Sequence, residues 1–420
     1  MSDAECHKPF EDRTLLLVST NYAPELTGIG PYAAQLAEHW AAAGADTHVL
    51  TGMPHYPSWR TDPGYRGVWR VAEQRAGVTV HRRRHYVPPR QTALRRAAFE
   101  VTVLAHGLLS PPGSRPDAVV SQIPSLAGGV IGARLAARHR APYIPVVQDL
   151  MGAAAAQSGI RGGGRAASAA SAAERYALRS AALVGVIHES FVPRVIAYGV
   201  DPARIRTVPN WSHVRAPSAD RAGTRARMGW SEGTPVVLHS GNMGLKQGLE
   251  VLVEAARLAP DVRVVLMGDG NQREALLGRA VGLRNLDILP PADAGEFTDI
   301  LAAADVLAVT QRASVLDMSV PSKLTSYFVS GRPVVASVAG AGGTAQEVQR
   351  SGAGLLVAPE DPAALLSAVR KLIEAPARAD ALGANGPQYV ARHLSREAGL
   401  ARFDALLTEV LADTQGRPRR

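Results

Sequence analysis

A chain of 420 residues with 46% hydrophobic composition is globular and too long for one ordinary core, so two domains of α/β size are expected. A formal charge of +9 favours anionic partners, but an aromatic fraction of 5% and the lack of any nucleic-acid-binding signature argue against nucleic acid. The lone Cys6 can form neither an internal disulfide nor a thiolate metal site, no apolar run reaches the ~18 residues of a membrane span, and the opening MSDAECHKPFEDR lacks the apolar core of a secretory signal, so a cytoplasmic protein is expected.

Short β-branched runs alternate along the chain with longer Ala- and Leu-rich segments of helical period, the rhythm of a parallel sheet wrapped by helices. Strands are expected near 15–19, 47–50, 78–86, 118–121, 143–147, 183–187 and 205–208. The first helix, 31–43, opens on Pro31 and stops at Gly44. The rhythm then restarts, with strands near 236–239, 262–267, 286–289, 306–309, 334–337 and 355–357. The polar, aperiodic stretch 211–232 reads as a linker. Residues 13–210 and 233–380 are therefore expected to form two Rossmann-like domains with a cleft between them. Helices over 381–414 would return to brace the first, and 1–12 and 415–420 would be disordered. The small-residue stretch 153–173, with its Gly162-Gly163-Gly164 run, reads as a loop followed by a poorly specified helix.

Three loops carry chemistry. After the first strand, Pro24-Glu25-Leu26-Thr27-Gly28-Ile29-Gly30-Pro31 runs into a helix N-terminus, where backbone N–H groups approach an anion that the helix dipole also favours. Gly28-x-Gly30-x-x-Ala33 matches the dinucleotide fingerprint in form. The first glycine, however, lies nine residues past Ser19, and the second strand ends without an acid for a ribose, which argues against a nicotinamide cofactor. In the second half, His239-Ser240-Gly241-Asn242-Met243-Gly244-Leu245-Lys246-Gln247-Gly248 repeats the series of strand, glycine loop and helix start. A cation such as Lys246 beside a positive helix N-terminus points to a bound anion. The third loop, Asp317-Met318-Ser319-Val320-Pro321-Ser322-Lys323-Leu324, enters a helix with Ser322 and nearby amides placed for phosphate or hydroxyls. Lys323 is the only lysine between Lys246 and Lys371 in a chain that otherwise uses arginine, which marks a position where a compact charge matters.

Taken in order with Tyr22-Ala23-Pro24, Val208-Pro209-Asn210-Trp211, Val265-Leu266-Met267-Gly268-Asp269-Gly270 and Gly331-Arg332-Pro333, these motifs resemble the retaining family-4 glycosyltransferases of GT-B architecture, especially the exopolysaccharide and capsule branch. The resemblance covers roughly 13–410. It implies an α/β, two-domain GT-B fold and a UDP- or GDP-sugar donor held mainly by the second domain. The acceptor would be a glycan, a lipid-linked molecule or a secondary metabolite. The diphosphate would lie near Gly28, Gly30, Asn242, Lys246, Ser322 and Lys323, and the nucleoside and sugar near Gly268, Asp317, Met318, Val320, Pro321, Leu324 and Ser326. The chain departs from the family at three points: Met318 and Ser326 stand where two glutamates eight apart are usual, and Asn242 stands where an arginine is common.

Breaking a sugar–phosphate bond builds negative charge on the departing diphosphate, so fixed cations are the main need. With no Asp-x-Asp pair in the chain, Lys246, with help from Lys323, is expected to meet that need without a metal or any other cofactor. Asp149, after the fifth strand, is expected to orient the acceptor or to accept its proton, or else to serve only as a helix cap. Between Arg60 and Arg96 ten arginines face two acids, Asp62 and Glu73. Arg82, Arg83, Arg84, Arg95 and Arg96 thus read as a surface for the acceptor or for peripheral contact with anionic lipid at the inner membrane face, or as a solvated basic face. The rival functions are a noncatalytic nucleotide-sugar-binding partner and a GT-B epimerase.

Overall fold

The computed structural model describes residues 8–415 except 26–27, 90–91, 124, 151–162, 213, 294 and 316–322. It divides into two units: residues up to Asn210 together with those from Gly399 onward, and Trp211–Ala398.

The first unit is built on an eight-stranded sheet. Its strands are β1 (Thr14–Val18), β2 (Asp46–Gly52), β3 (Arg70–Arg75), β4 (Val78–Arg83), β5 (Ala118–Ile123), β6 (Tyr143–Val147), β7 (Val184–Val186) and β8 (Ile205–Thr207). Their spatial order is β3-β4-β2-β1-β5-β6-β7-β8, parallel except for β3, which pairs antiparallel to β4 at the edge. Strands β1, β5 and β6 are almost wholly buried, as apolar strands covered on both faces must be. Helices α1 (Gly30–Ala42), α2 (Ala93–Leu109) and α3 (Leu126–His139) follow β1, β4 and β5.

The second unit is a six-stranded sheet, wholly parallel: β9 (Val236–Asn242), β10 (Arg263–Asp269), β11 (Leu286–Leu289), β12 (Val306–Thr310), β13 (Val334–Ser337) and β14 (Gly354–Val357). The order β11-β10-β9-β12-β13-β14 is that of a doubly wound Rossmann sheet, with the order of strand addition reversing between β9 and β12. The first unit has the equivalent reversal between β1 and β5.

Sequence and structure differ in four places. Strand β3 is missed because it is an exposed edge strand with no apolar alternation. The stretch read as a linker carries the helix Arg221–Arg227, which belongs to the second unit. Arg225 is buried there and donates to Ala303 O (3.0 Å), Ser231 O (2.8 Å), Thr234 O (2.7 Å) and Asp305 (3.1 Å), fastening a segment whose polar sequence looks solvated. The C-terminal helices divide. Pro376–His393 packs within the second unit, where a Cβ at Gly386 would meet Phe328 O at 2.6 Å, whereas Arg396–Gln415 is anchored in the first by His39–Asp404 (2.8 Å) and Arg206–Glu409 (2.6 Å). Near the N-terminus Phe10 is buried, its N–H bonded to Ala43 O, so order begins before residue 13. Of the small-residue stretch, 151–162 lies outside the described residues and a helix runs over Gly163–Arg179. Cys6 and 416–420 also lie outside.

Candidate active site

In doubly wound sheets ligands gather outside the carboxyl ends of the strands where the order reverses. For the second unit that point lies between the loops after β9 and β12. At the end of β9, Gly241 pairs with Gly268 and Asn242 with Asp269. Gly268 has φ +151, and a Cβ on it would lie 1.9 Å from Gly241 O, so only glycine lets the two strand ends come together. The expected donor contact at Gly268 is thus first a packing requirement. The chain then makes a tight turn over Leu245–Gln247 and leaves it through Gly248 at φ +58. This turn is tied down from β12: Arg312 N donates to Lys246 O (3.0 Å), Thr310 Oγ1 to Gln247 O (2.7 Å) and Arg312 Nε to Leu245 O (2.9 Å). The backbone of Lys246 is therefore fixed while its side chain is exposed and makes no ion pair among the described residues. Asn242 is exposed beside it.

Lys323 opens the helix Lys323–Val329 that follows β12. Its Nζ lies 3.1 Å from His239 Nε2, and His239 Nδ1 lies 3.1 Å from Ala308 O. Desolvation lowers the Lys323 ammonium to about 7 and pushes His239 well below the usual imidazole range. One turn on, Tyr327 OH accepts from Ser240 N (2.6 Å), locking the helix to β9. Leu324, expected at the donor, is instead in the hydrophobic core beside Tyr327 and Phe328, and Ser326 is buried in the same helix. Tyr327, four residues after Lys323, shares its face toward β9, while Leu324 is turned about 100° away into the core. Asp317, Met318, Val320, Pro321 and Ser322 lie outside the described residues.

In the first unit the loop after β1 is held from within. Buried Glu25 accepts from His55 N (2.7 Å) and Tyr56 N (2.8 Å), joining this loop to the one after β2. Its other oxygen, Oε2, is buried with no hydrogen bond among the described residues. Gly28 has φ +69 and backs onto Tyr56. A Cβ at Gly30 would press on Glu25 O at 3.1 Å, at the first residue of α1. Among the described residues helix α1 has no side-chain cap, and an N-terminus of that kind suits an anion. Around the ends of β5 and β6, Gln148 Nε2 donates to Gln122 Oε1 (2.8 Å), and Asn210 Nδ2 donates to Gln148 Oε1 (2.7 Å). Next to this amide cluster Asp149 is half-buried, with Oδ1 accepting from Leu150 N (2.9 Å). Sequence reasoning passed over Glu25, His55 and Gln122. A carboxylate in an otherwise apolar Ala-Pro-Glu-Leu turn was the available signal for Glu25, and nothing local marked the other two.

Residues 27–211 match the family described as Glycosyl transferase 4-like domain, and 234–375 match Glycosyl transferases group 1. Over 406 residues, 93% of this chain and 98% of its relative, the sequence is 30% identical to the putative colanic acid biosynthesis glycosyl transferase WcaI of Escherichia coli K12. The chain belongs to the family-4 glycosyltransferases. It is 28% identical over 418 residues to a D-inositol 3-phosphate glycosyltransferase of Catenulispora acidiphila, covering 93% of each chain. Among solved structures, the sucrose-phosphate synthase of Thermosynechococcus elongatus superposes with TM-score 0.73 at 21% identity, over 96% of this chain and 100% of that one. HepE of Anabaena in complex with UDP gives 0.67 at 17%, over 95% and 100%. This glycosyltransferase, an enzyme of the hexosyltransferase class, has the GT-B fold.

The arginine-rich stretch of the glycosyltransferase is not one cationic face. Arg82 is 0% exposed, bonded to Glu73 (2.7 Å) and to Ala23 O, so the expectation that it meets an acceptor or lipid is corrected. On a strand that alternates in and out it points inward, and two polar partners hold its charge. Arg83 is half-buried and donates to Ser110 O (2.6 Å). Arg84 is exposed over Trp69, and Arg96 pairs with Glu100 (3.2 Å) while lying over Phe99. Arg95 is half-exposed on α2. The same helix presents Leu94 (82% exposed), Val101 (63%) and Leu109 (83%) to solvent. No helix among the described residues is long and apolar enough to cross a membrane.

Proposed function

We propose that this glycosyltransferase moves a hexosyl or deoxyhexosyl group from a UDP- or GDP-sugar, with retention and without a metal or other cofactor, to a glycan, lipid-linked or secondary-metabolite acceptor. The observation that carries the reading is the pair of lysines at the reversal point of the second sheet: exposed Lys246 on a clamped turn and Lys323 on the adjoining helix. As the bond from the anomeric carbon to phosphate oxygen breaks, its electron pair stays on the diphosphate, where a fixed cation lowers the barrier most. The acceptor oxygen bonds to that carbon, and its proton passes to Asp149 in the role of base. That HepE was crystallised with UDP and with UDP-glucose supports a nucleotide-sugar donor. The exposed apolar side chains of α2, flanked by Arg84 and Arg95, support peripheral contact with anionic lipid from the cytoplasmic side.

Two measurements test the reading. UDP or GDP is expected to raise the melting temperature by mass action. Lys246→Ala is expected to lower kcat by roughly 10²- to 10³-fold with the fold intact; unchanged turnover at saturating donor would reject the role.

A further inference from the structure

His239 is completely buried at the inner part of β9, and nothing in a Rossmann sheet requires an imidazole there. Its hydrogen bonds fix its chemistry. A carbonyl oxygen only accepts, so Nδ1, 3.1 Å from Ala308 O, carries the proton. A neutral ring then presents a lone pair at Nε2, and the donor facing it at 3.1 Å is Lys323 Nζ. On its other side the ammonium lies next to Gly241, where a Cβ would stand 3.5 Å from Nζ, and Gly241 is exposed at the end of the strand. Lys323 is thus held from within and abuts the exposed backbone of Gly241 at the reversal point.

We propose that His239 is a positioning residue that seats Lys323 as a second cation for the donor diphosphate, and that binding of the nucleoside diphosphate draws a proton onto this lysine. The inference rests on the function proposed above and deepens it. The site lacks an arginine at 242, and a cation behind Gly241 supplies charge from the opposite side of the same backbone. Burial disfavours the charged ammonium, and an arriving diphosphate favours it, so the proton is taken up on binding. Among the described residues, the other titratable groups on the elements packed around Lys323 are few. Tyr327 has its phenol pushed up to about 12 and stays neutral, while Lys246 and Asp269 stand on the loops at the ends of β9 and β10. None of the three forms an ion pair with Lys323 among the described residues. The sign follows: the nucleotide binds the protonated lysine, so affinity is full below about pH 7 and falls as pH rises through that value.

Calorimetry with UDP and with GDP on the full chain, from pH 6.5 to 9 in buffers of different ionisation enthalpy, reads this directly. Wild type is expected to take up close to one proton near pH 8.5 and to lose affinity toward tenfold per pH unit. The last ionisation of the phosphate itself, at about pH 6, is complete by then. Lys323→Arg, charged throughout, and Lys323→Ala are expected to bind with no proton uptake, and their flat profiles are the control for each other should the larger guanidinium fit poorly. His239→Gln, whose amide oxygen can accept from Nζ, should retain uptake. His239→Leu should lose it and lower kcat about tenfold with little change in melting temperature. Nucleotide binding without proton uptake, or with uptake unchanged in Lys323→Ala, overturns this inference and leaves the proposed function standing. If neither nucleotide binds, the proposed function fails as well.

Discussion

Gly268 and Lys323 show two kinds of constraint that single residues impose on the second unit. At Gly268 the constraint is steric: any Cβ would sit inside the carbonyl of Gly241. Gly268→Ala is expected to cost about 3 kcal/mol and to lower the melting temperature by roughly 10 °C, because β9 and β10 must part where they carry the loop of Lys246. At Lys323 the constraint is electrostatic. Its folded-state ionisation lies at about 7, below the usual lysine value of the unfolded chain. The unfolded state therefore binds more protons between these values, and stability contributed by this residue rises with pH across that window. Lys323→Met should accordingly raise the melting temperature at pH 6.5 and do so less as pH approaches 10, while turnover falls. A melting temperature unchanged at pH 6.5 would show that the desolvation is not borne by this side chain. Neither constraint could be read from neighbouring residues in sequence: Gly268 meets a strand 27 positions away, and Lys323 meets His239 across 84.

Among the elements, the helices at 93–109 and 221–227 show how pattern and surroundings divide the outcome. Helix α2 begins where Thr92 caps Arg95 N, and its apolar residues are more numerous than one buried face can use. Leu94, Val101 and Leu109 remain outside with Arg84 and Arg95 beside them. Replacing Leu94 and Val101 together by glutamate should abolish sedimentation with anionic liposomes at low salt and leave donor hydrolysis intact. Wild-type protein that stays in the supernatant would remove the lipid contact. The helix Arg221–Arg227 has the reverse character, a polar sequence with a buried guanidinium. Arg225→Ala removes one donor from each of three carbonyls, Ala303 O, Ser231 O and Thr234 O, and one of the donors to Asp305. Loss of about 3 kcal/mol, seen as a lower denaturant midpoint, is expected.

Across the whole molecule, the two sheets place their reversal points at loops of different make-up. The first has a loop fastened by Glu25 ahead of a helix with no side-chain cap among the described residues, and the second has two lysines. Hydrogen exchange with UDP or GDP bound should therefore show strongest added protection in the segments 241–248 and 308–312. Protection confined to the first unit would reverse the assignment of the donor. The alternation of β-branched runs with Ala- and Leu-rich segments, and the order of the glycine loops, determined the α/β class, the two Rossmann-like halves, nearly all the strands and the glycosyltransferase family, because hydrophobic period and strand-to-helix turn chemistry are local properties of a chain. Only the tertiary structure decided that Arg82 and Arg225 are interior, that Leu324 belongs to the core, that the last two helices go to different units and that His239 holds Lys323. Each of those outcomes depends on which distant backbone or side chain arrives to bond or enclose a group, and no window of neighbouring residues contains that partner.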